Sequence, residues 1–247
     1  HPIPRWSVLG GKFLAGTVFS LAAVAATIAI PLMLRTAGDL DSGAIVAQYL
    51  GTLFLATSLV AIGLFASSLT GNQIAAFVVA LALIAVLMLA GLPFMTLALP
   101  SRVAVLAQDL SPLTHYSGIV RGVLSLRDGL YFVALGSTFL CGAYLALRSR
   151  SVSHRSHLYV NLRLGVGGLV VIGLLIGWSG RSIDGSWDFT QRKIHTLSPA
   201  TEDLLAGLDD IVVVNLFASE NPPVHISLRT RDVNDLLGDI ADASDGK

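Results

Sequence analysis

Four stretches of this chain, residues 13–34, 44–69, 74–99 and 129–147, contain no charged side chain at all. Crossing the hydrocarbon core of a bilayer takes about 20 predominantly apolar residues in a helix. In that medium each backbone N–H and C=O must find its partner inside the segment, which makes an α-helix the solution for an isolated apolar run. A shorter run at residues 164–180 extends the pattern, so the sequence predicts about five spanning helices. Composition agrees: 13% of residues are charged and 53% hydrophobic, whereas a soluble domain carries about 25% charged residues. The expected fold class is an all-α polytopic membrane bundle followed by the beginning of an extracytoplasmic α/β domain.

Pro31 and Pro93 sit near the ends of their runs, where they are expected to kink or stop the helix. Gly173 and Gly177 in the fifth run have the small-xxx-small spacing that lets two spanning helices approach, which makes them candidate packing positions. Cys141 is the single cysteine, so no intramolecular disulfide is possible, and it reads as a small packing residue.

Basic residues orient the bundle. With residues 148–163 cytoplasmic, alternation of the spans puts Arg5, Lys12 and the "TGNQ" turn at 70–73 on the same side. Those inner segments then hold six Lys/Arg and no acid, against Arg35, Arg102, Arg121 and Arg127 in the outer loops. This follows the positive-inside rule by a moderate margin. The charge balance also breaks along the chain: ten Lys/Arg accompany four Asp/Glu up to Gly180, and six accompany twelve from Arg181 onward. Two compositionally different parts are joined here, the second of them expected outside the cytoplasm.

The outer loop at 100–128 has a pattern of its own. Pro112 follows Ser111 as at a helix start, and Leu113, Tyr116, Val120, Val123 and Leu124 recur at helical spacing. The expectation is an amphipathic helix on the outer interface, with His115, Tyr116, Arg121, Arg127 and Asp128 as its candidate functional residues. A lid that packs on the bundle accounts for the same pattern. His115, near Asp109 and Asp128, reads most simply as an interfacial polar residue.

In the tail, Ser198 and Pro199 make a helix N-cap and first position, with acids in the first turn. Residues 211–218 read as a buried strand, and Val233, Leu236, Leu237, Ile240 and Ala241 as the apolar face of a helix. The chain opens on His1 and closes on an apparently helical stretch, which predicts a longer protein at both ends.

Several chemistries find no support. The first four spans lack the ionisable groups of an ion-coupled carrier. "LGGKFLAG" resembles a phosphate loop, but Phe13 follows Lys12 where Ser or Thr is needed. His154 and His157 lie beside arginines that repel cations, and no HExxH or GxSxG occurs. The expectation is a protein that is not an enzyme, with no catalytic residue, metal or cofactor of its own.

"HPIPRWSVLGGKFLAG", "GLFASSLTGNQIAAF" (63–77) and "RGVLSLRDGLYF" (121–132) resemble the type-2 ABC transporter permease family, in its gliding-motility branch, over residues 1–150. "DFTQRKIHTLSPATEDLLAGLDDIVVVNLFASENP" resembles the start of the gliding-motility auxiliary component. The implied organisation is a permease portion at 1–150, a basic cytoplasmic linker at 151–163, an anchor helix at 164–180 and an extracytoplasmic auxiliary domain at 181–247. The resemblance implies a multi-pass protein of the bacterial cytoplasmic membrane, in contact with membrane lipids. It also implies separate ABC ATPase subunits holding ATP and magnesium, and a second permease half as homo- or heterodimer; nucleic acid is not an expected partner. The permease family has six spans, of which these look like the last four, and its cytoplasmic segment between spans two and three meets the ATPase. That segment corresponds to residues 2–12, making Pro4, Trp6 and Lys12 candidate coupling contacts. An interfacial helix anchored in the headgroups by Trp6 and Lys12 accounts for the same residues. The rival function is a membrane anchor or scaffold that presents the tail to envelope or motility proteins.

Overall fold

The computed structural model describes residues 4–96, 99–149, 186–190, 196–207, 212–214, 216, 217, 233, 236–238, 240, 241, 243 and 244. The expected fifth span with Gly173 and Gly177, and the basic linker, lie outside the described residues. His1–Phe189 and Thr190–Lys247 form separate compact units.

The first unit runs α1 (Arg5–Ala26), α2 (Ala29–Leu34), α3 (Ser42–Leu69), α4 (Gln73–Ala90), α5 (Pro93–Thr96), α6 (Ser101–Leu110), α7 (Pro112–Val120), β1 (Val123–Ser125), α8 (Leu126–Ser149) and β2 (Ser186–Asp188). Arg5–Leu34, Ser42–Leu69, Gln73–Ala90 and Leu126–Ser149 are long and apolar enough to cross a membrane. This is the architecture of a multi-pass membrane protein.

Helix limits depart from the charge-free runs for local reasons. The first helix begins at Arg5 and includes Lys12, because a long basic side chain near a helix end can carry its charge to the headgroups. Pro31 supplies no N–H to the Thr27 carbonyl, and the chain answers by tightening. Ile30 N–H donates to that carbonyl at 3.0 Å, and Thr27 and Ile28 donate three residues back to Val24 and Ala25. The result is the break between α1 and α2. The third span stops at Ala90 rather than Leu99, since Gly91 caps it and Pro93 opens α5. Asp41 caps α3, its Oδ1 accepting from the N–H groups of Gly43 and Ala44 at 2.9 and 3.0 Å. Asn72 does the same for α4.

The core runs along α3, which packs against α1, α4, α7 and α8. Its buried residues are Ala47, Gly51, Ser58, Ala61, Ile62, Ala66 and Ser68, nearly all small. Close approach is the consequence. At Gly51 an added Cβ would lie 2.8 Å from Ile119 Cγ2 of α7, so a side chain there would displace that helix. The Ser58 hydroxyl shares its hydrogen between the carbonyls of Phe54, 2.9 Å away, and of Phe132 on α8, 3.2 Å away. Phe54 stacks on Phe132 and Phe65 meets Phe139 edge-on, continuing the α3–α8 seam.

The expected interfacial helix is shorter than the apolar stripe implied. α7 ends at Val120 because Gly122 takes φ 96°, a left-handed backbone that other residues rarely adopt. Val123 and Leu124 therefore belong to β1. This strand pairs antiparallel with β2, Leu124 opposite Trp187, and Phe189 N–H donates to the Gly122 carbonyl at 2.9 Å.

In the second unit Ser198 caps α9 (Pro199–Ala206), accepting from Thr201 N–H at 3.2 Å with Pro199 in the first turn. Positions 233, 236–238, 240, 241 and 243 are helical. Residues 212–214, 216 and 217 of the expected strand are outside regular structure and exposed, Phe217 most of all. A strand needs a partner for its N–H and C=O groups, and among the described residues none pairs with them.

Candidate functional sites at the two ends of the bundle

At one end of the first unit lie the start of α1 and the close of α8. Pro4 is the N-cap residue, its carbonyl accepting from Ser7 N–H at 3.0 Å. Trp6 stacks on Tyr144 of α8, with ring centroids 4.3 Å apart and planes 13° from parallel. Half of Trp6 remains exposed, as does most of Pro4 and Lys12. Arg148 occupies the last turn of α8, where a cation suits the helix dipole. Pro4, Trp6 and Lys12 are thus all exposed at the start of α1, and Trp6 is stacked on α8.

At the opposite end the polar residues of α6, α7 and α8 converge. His115 and Asp128 are only 1% and 2% exposed, so both are packed inside the protein. His115 Nδ1 lies 2.7 Å from Asp128 Oδ1, and Nε2 lies 3.0 Å from the Asp109 carbonyl. Each ring nitrogen therefore faces an acceptor. Which of the two nitrogens donates depends on the tautomer of the ring. Tyr131 stacks on the His115 ring at 3.8 Å and donates its hydroxyl to the Leu110 carbonyl at 2.6 Å.

Asp128 is held from the other side as well. The Ser125 hydroxyl donates to Asp128 Oδ2 at 2.6 Å, while Asp128 N–H donates back to Ser125 Oγ at 3.2 Å. This is a capping exchange at the start of α8. Arg127 Nη2 reaches Asp109 Oδ1 at 3.4 Å, a half-buried bond that ties α8 to the end of α6. Tyr116 and Thr52 share a hydroxyl contact of 3.1 Å, and Gln48 Nε2 donates to the Val120 carbonyl at 3.1 Å, so α7 is tied to α3 too. Arg121 is the C-cap residue of α7.

The five candidate residues of the outer loop are thus divided. His115 and Tyr116 lie on α7, Arg121 closes it, and Arg127 and Asp128 begin α8. Although Ser, His and Asp meet here, the serine hydroxyl bonds the carboxylate and the Nε2 atom is taken by a backbone carbonyl. Nucleophilic catalysis needs the hydroxyl against the ring nitrogen, so this set fixes helices in place. Among the described residues no group of three or more His, Cys, Asp and Glu side chains converges to hold a metal.

Sequence reasoning sought small-residue packing at Gly173 and Gly177 and overlooked α3. Ala47 and Gly51, four apart, and Ser58, Ala61, Ile62 and Ala66 at three- and four-residue steps carried the same signal.

Residues 191–247 match a family described as Domain of unknown function (DUF7088). No curated protein and no solved structure matches the chain.

Proposed function

We propose that this protein is the membrane-spanning subunit of an ATP-driven exporter of the type-2 ABC permease class, in its gliding-motility branch. The observation that supports this reading most is the patch at the start of α1, where Trp6 is at once half exposed and stacked on Tyr144. An ATPase subunit bearing on Pro4, Trp6 and Lys12 has a rigid path into the bundle. α1 is an unbroken helix from Arg5 to Ala26, and the aromatic stack joins its first turn to α8. Nucleotide-driven closure of two ATPase subunits then rocks paired permease halves between inward and outward states. ATP and magnesium belong to the partner. The patch faces the cytoplasm of a bacterial inner membrane, and the tail lies on the other side.

The reading is tested by copurifying the full-length protein with a candidate ABC ATPase and assaying vanadate-sensitive ATP hydrolysis. A stoichiometric complex with such activity is expected, and the Trp6→Ala/Lys12→Ala double variant should lose the ATPase while retaining the wild-type melting temperature. Unchanged copurification removes the coupling assignment. A second reading, an anchor presenting an extracytoplasmic α/β domain to envelope proteins, is favoured by the separate compactness of Thr190–Lys247 and its family match. Envelope partners bound without nucleotide dependence, and no ATPase under any nucleotide condition, would select it.

A further inference from the structure

Between α1–α2 and the first half of α3 lies an open cleft of about 430 Å³. α1 and α3 touch closely where Gly16 meets Val60, and the cleft opens further along, lined from Leu21 to Arg35 on one side and from Leu40 to Leu53 on the other. The walls are almost wholly apolar, with Leu21, Ile28, Ile45, Val46 and Leu53 among them. The Tyr49 hydroxyl, which lines the cleft, lies 3.1 Å from Thr27 Oγ1 and is hydrogen-bonded to it.

Among the described residues a single charged one lines the cleft, Arg35. It is exposed, and its guanidinium has neither a hydrogen-bond nor an ion-pair partner among the described residues. Asp39 is nearby in sequence and exposed, while Asp41 is engaged in capping α3. Arg35 follows directly on the apolar run that ends at Leu34, which puts its guanidinium at headgroup level. The volume lies within the range of about 300–1,000 Å³ seen for small-molecule sites. Hydrocarbon suits such walls, and a guanidinium is built to take a phosphate through two parallel N–H bonds.

We propose that this cleft is a phospholipid site, in which one acyl chain lies between α1 and α3 and the lipid phosphate rests on Arg35. The assignment is independent of the exporter reading, since it needs only a bilayer. A lipid held there fills the space between α1–α2 and α3 and fixes α2 against α3. The same chain without the phosphate keeps its apolar contacts and loses the anchor.

The test is native mass spectrometry of the full chain released from nanodiscs, with phosphatidylglycerol and diacylglycerol as probes. Wild type should retain one phosphatidylglycerol per chain. Arg35→Gln should weaken that retention roughly ten-fold, the loss expected for a charge-assisted contact, and leave the weaker retention of diacylglycerol as it was. Val46→Trp, which fills the cleft, should abolish both. Equal retention by all three proteins means annular lipid only and overturns the site. Loss with Val46→Trp but not with Arg35→Gln overturns the phosphate contact. A wild-type chain without bound lipid, because an upstream segment or a second copy occupies the cleft, overturns the proposal altogether.

Discussion

α3 and α4 are adjacent, antiparallel and both free of charge along their length, yet they do opposite jobs. α3 buries seven residues and touches every other long helix of the first unit. α4 buries none, and Ile74, Phe77, Val78 and Val86 are each more than half exposed. Hydrophobicity does not separate them, because lipid tails are as apolar as leucine and exert no drive to bring helices together. What separates them is glycine and hydroxyl content. Gly51 on α3 lets a neighbouring backbone approach and Ser58 offers a hydroxyl to a carbonyl of α8, whereas α4, though it carries alanines, has neither glycine nor a hydroxyl side chain.

Three experiments sharpen this contrast, in falling order of effect. The largest concerns the polar knot that locks α7 and α8 beside α3. Removing one partner of a buried hydrogen-bonded pair costs about 1–3 kcal/mol, and more where the group left behind is charged. His115→Ala and Asp128→Ala should each lower stability by that order in reversible unfolding from mixed micelles, and the His115→Phe/Asp128→Leu pair should lose less than either. A double variant worse than both singles would show that the pair is not coupled. Next is the small-residue axis itself. Gly51→Leu drives a side chain into Ile119 and should cost about 1–3 kcal/mol, as overpacking does; an unchanged melting profile would mean that α7 is not seated on α3. Smallest is α4, where Val78→Leu on the exposed face should fall within about 0.5 kcal/mol of wild type. A loss comparable to that at Gly51 would place α4 inside an interface rather than against lipid.

Much of the fold could be anticipated. The charge-free runs located all four described spans, and Ser111 with Pro112 marked the start of α7. The ends were harder. α1 runs through Lys12 because one charge near a terminus costs little, and α4 stops early because Gly91 and Pro93 together deprive the backbone of its next bonds. The knot at His115 was visible only as three polar residues in one loop, His115, Asp109 and Asp128. Their separation of up to nineteen positions says nothing about contact until a turn is known, and that turn depends on the φ of Gly122. An apolar stripe that continued to Leu124 concealed it.

The sequence by itself determined that the chain is a membrane bundle, which segments are apolar enough to cross, and where prolines and capping residues punctuate them. Those properties follow from transfer into hydrocarbon and from backbone hydrogen bonding within a few residues. Only the tertiary structure decided which of the equally apolar helices is central, that His115 is buried against Asp128, and that an open cleft with Arg35 lies beside Pro31. Such outcomes depend on contacts between segments distant in sequence, where shape and hydrogen-bond partners select among arrangements that hydropathy leaves equal in energy.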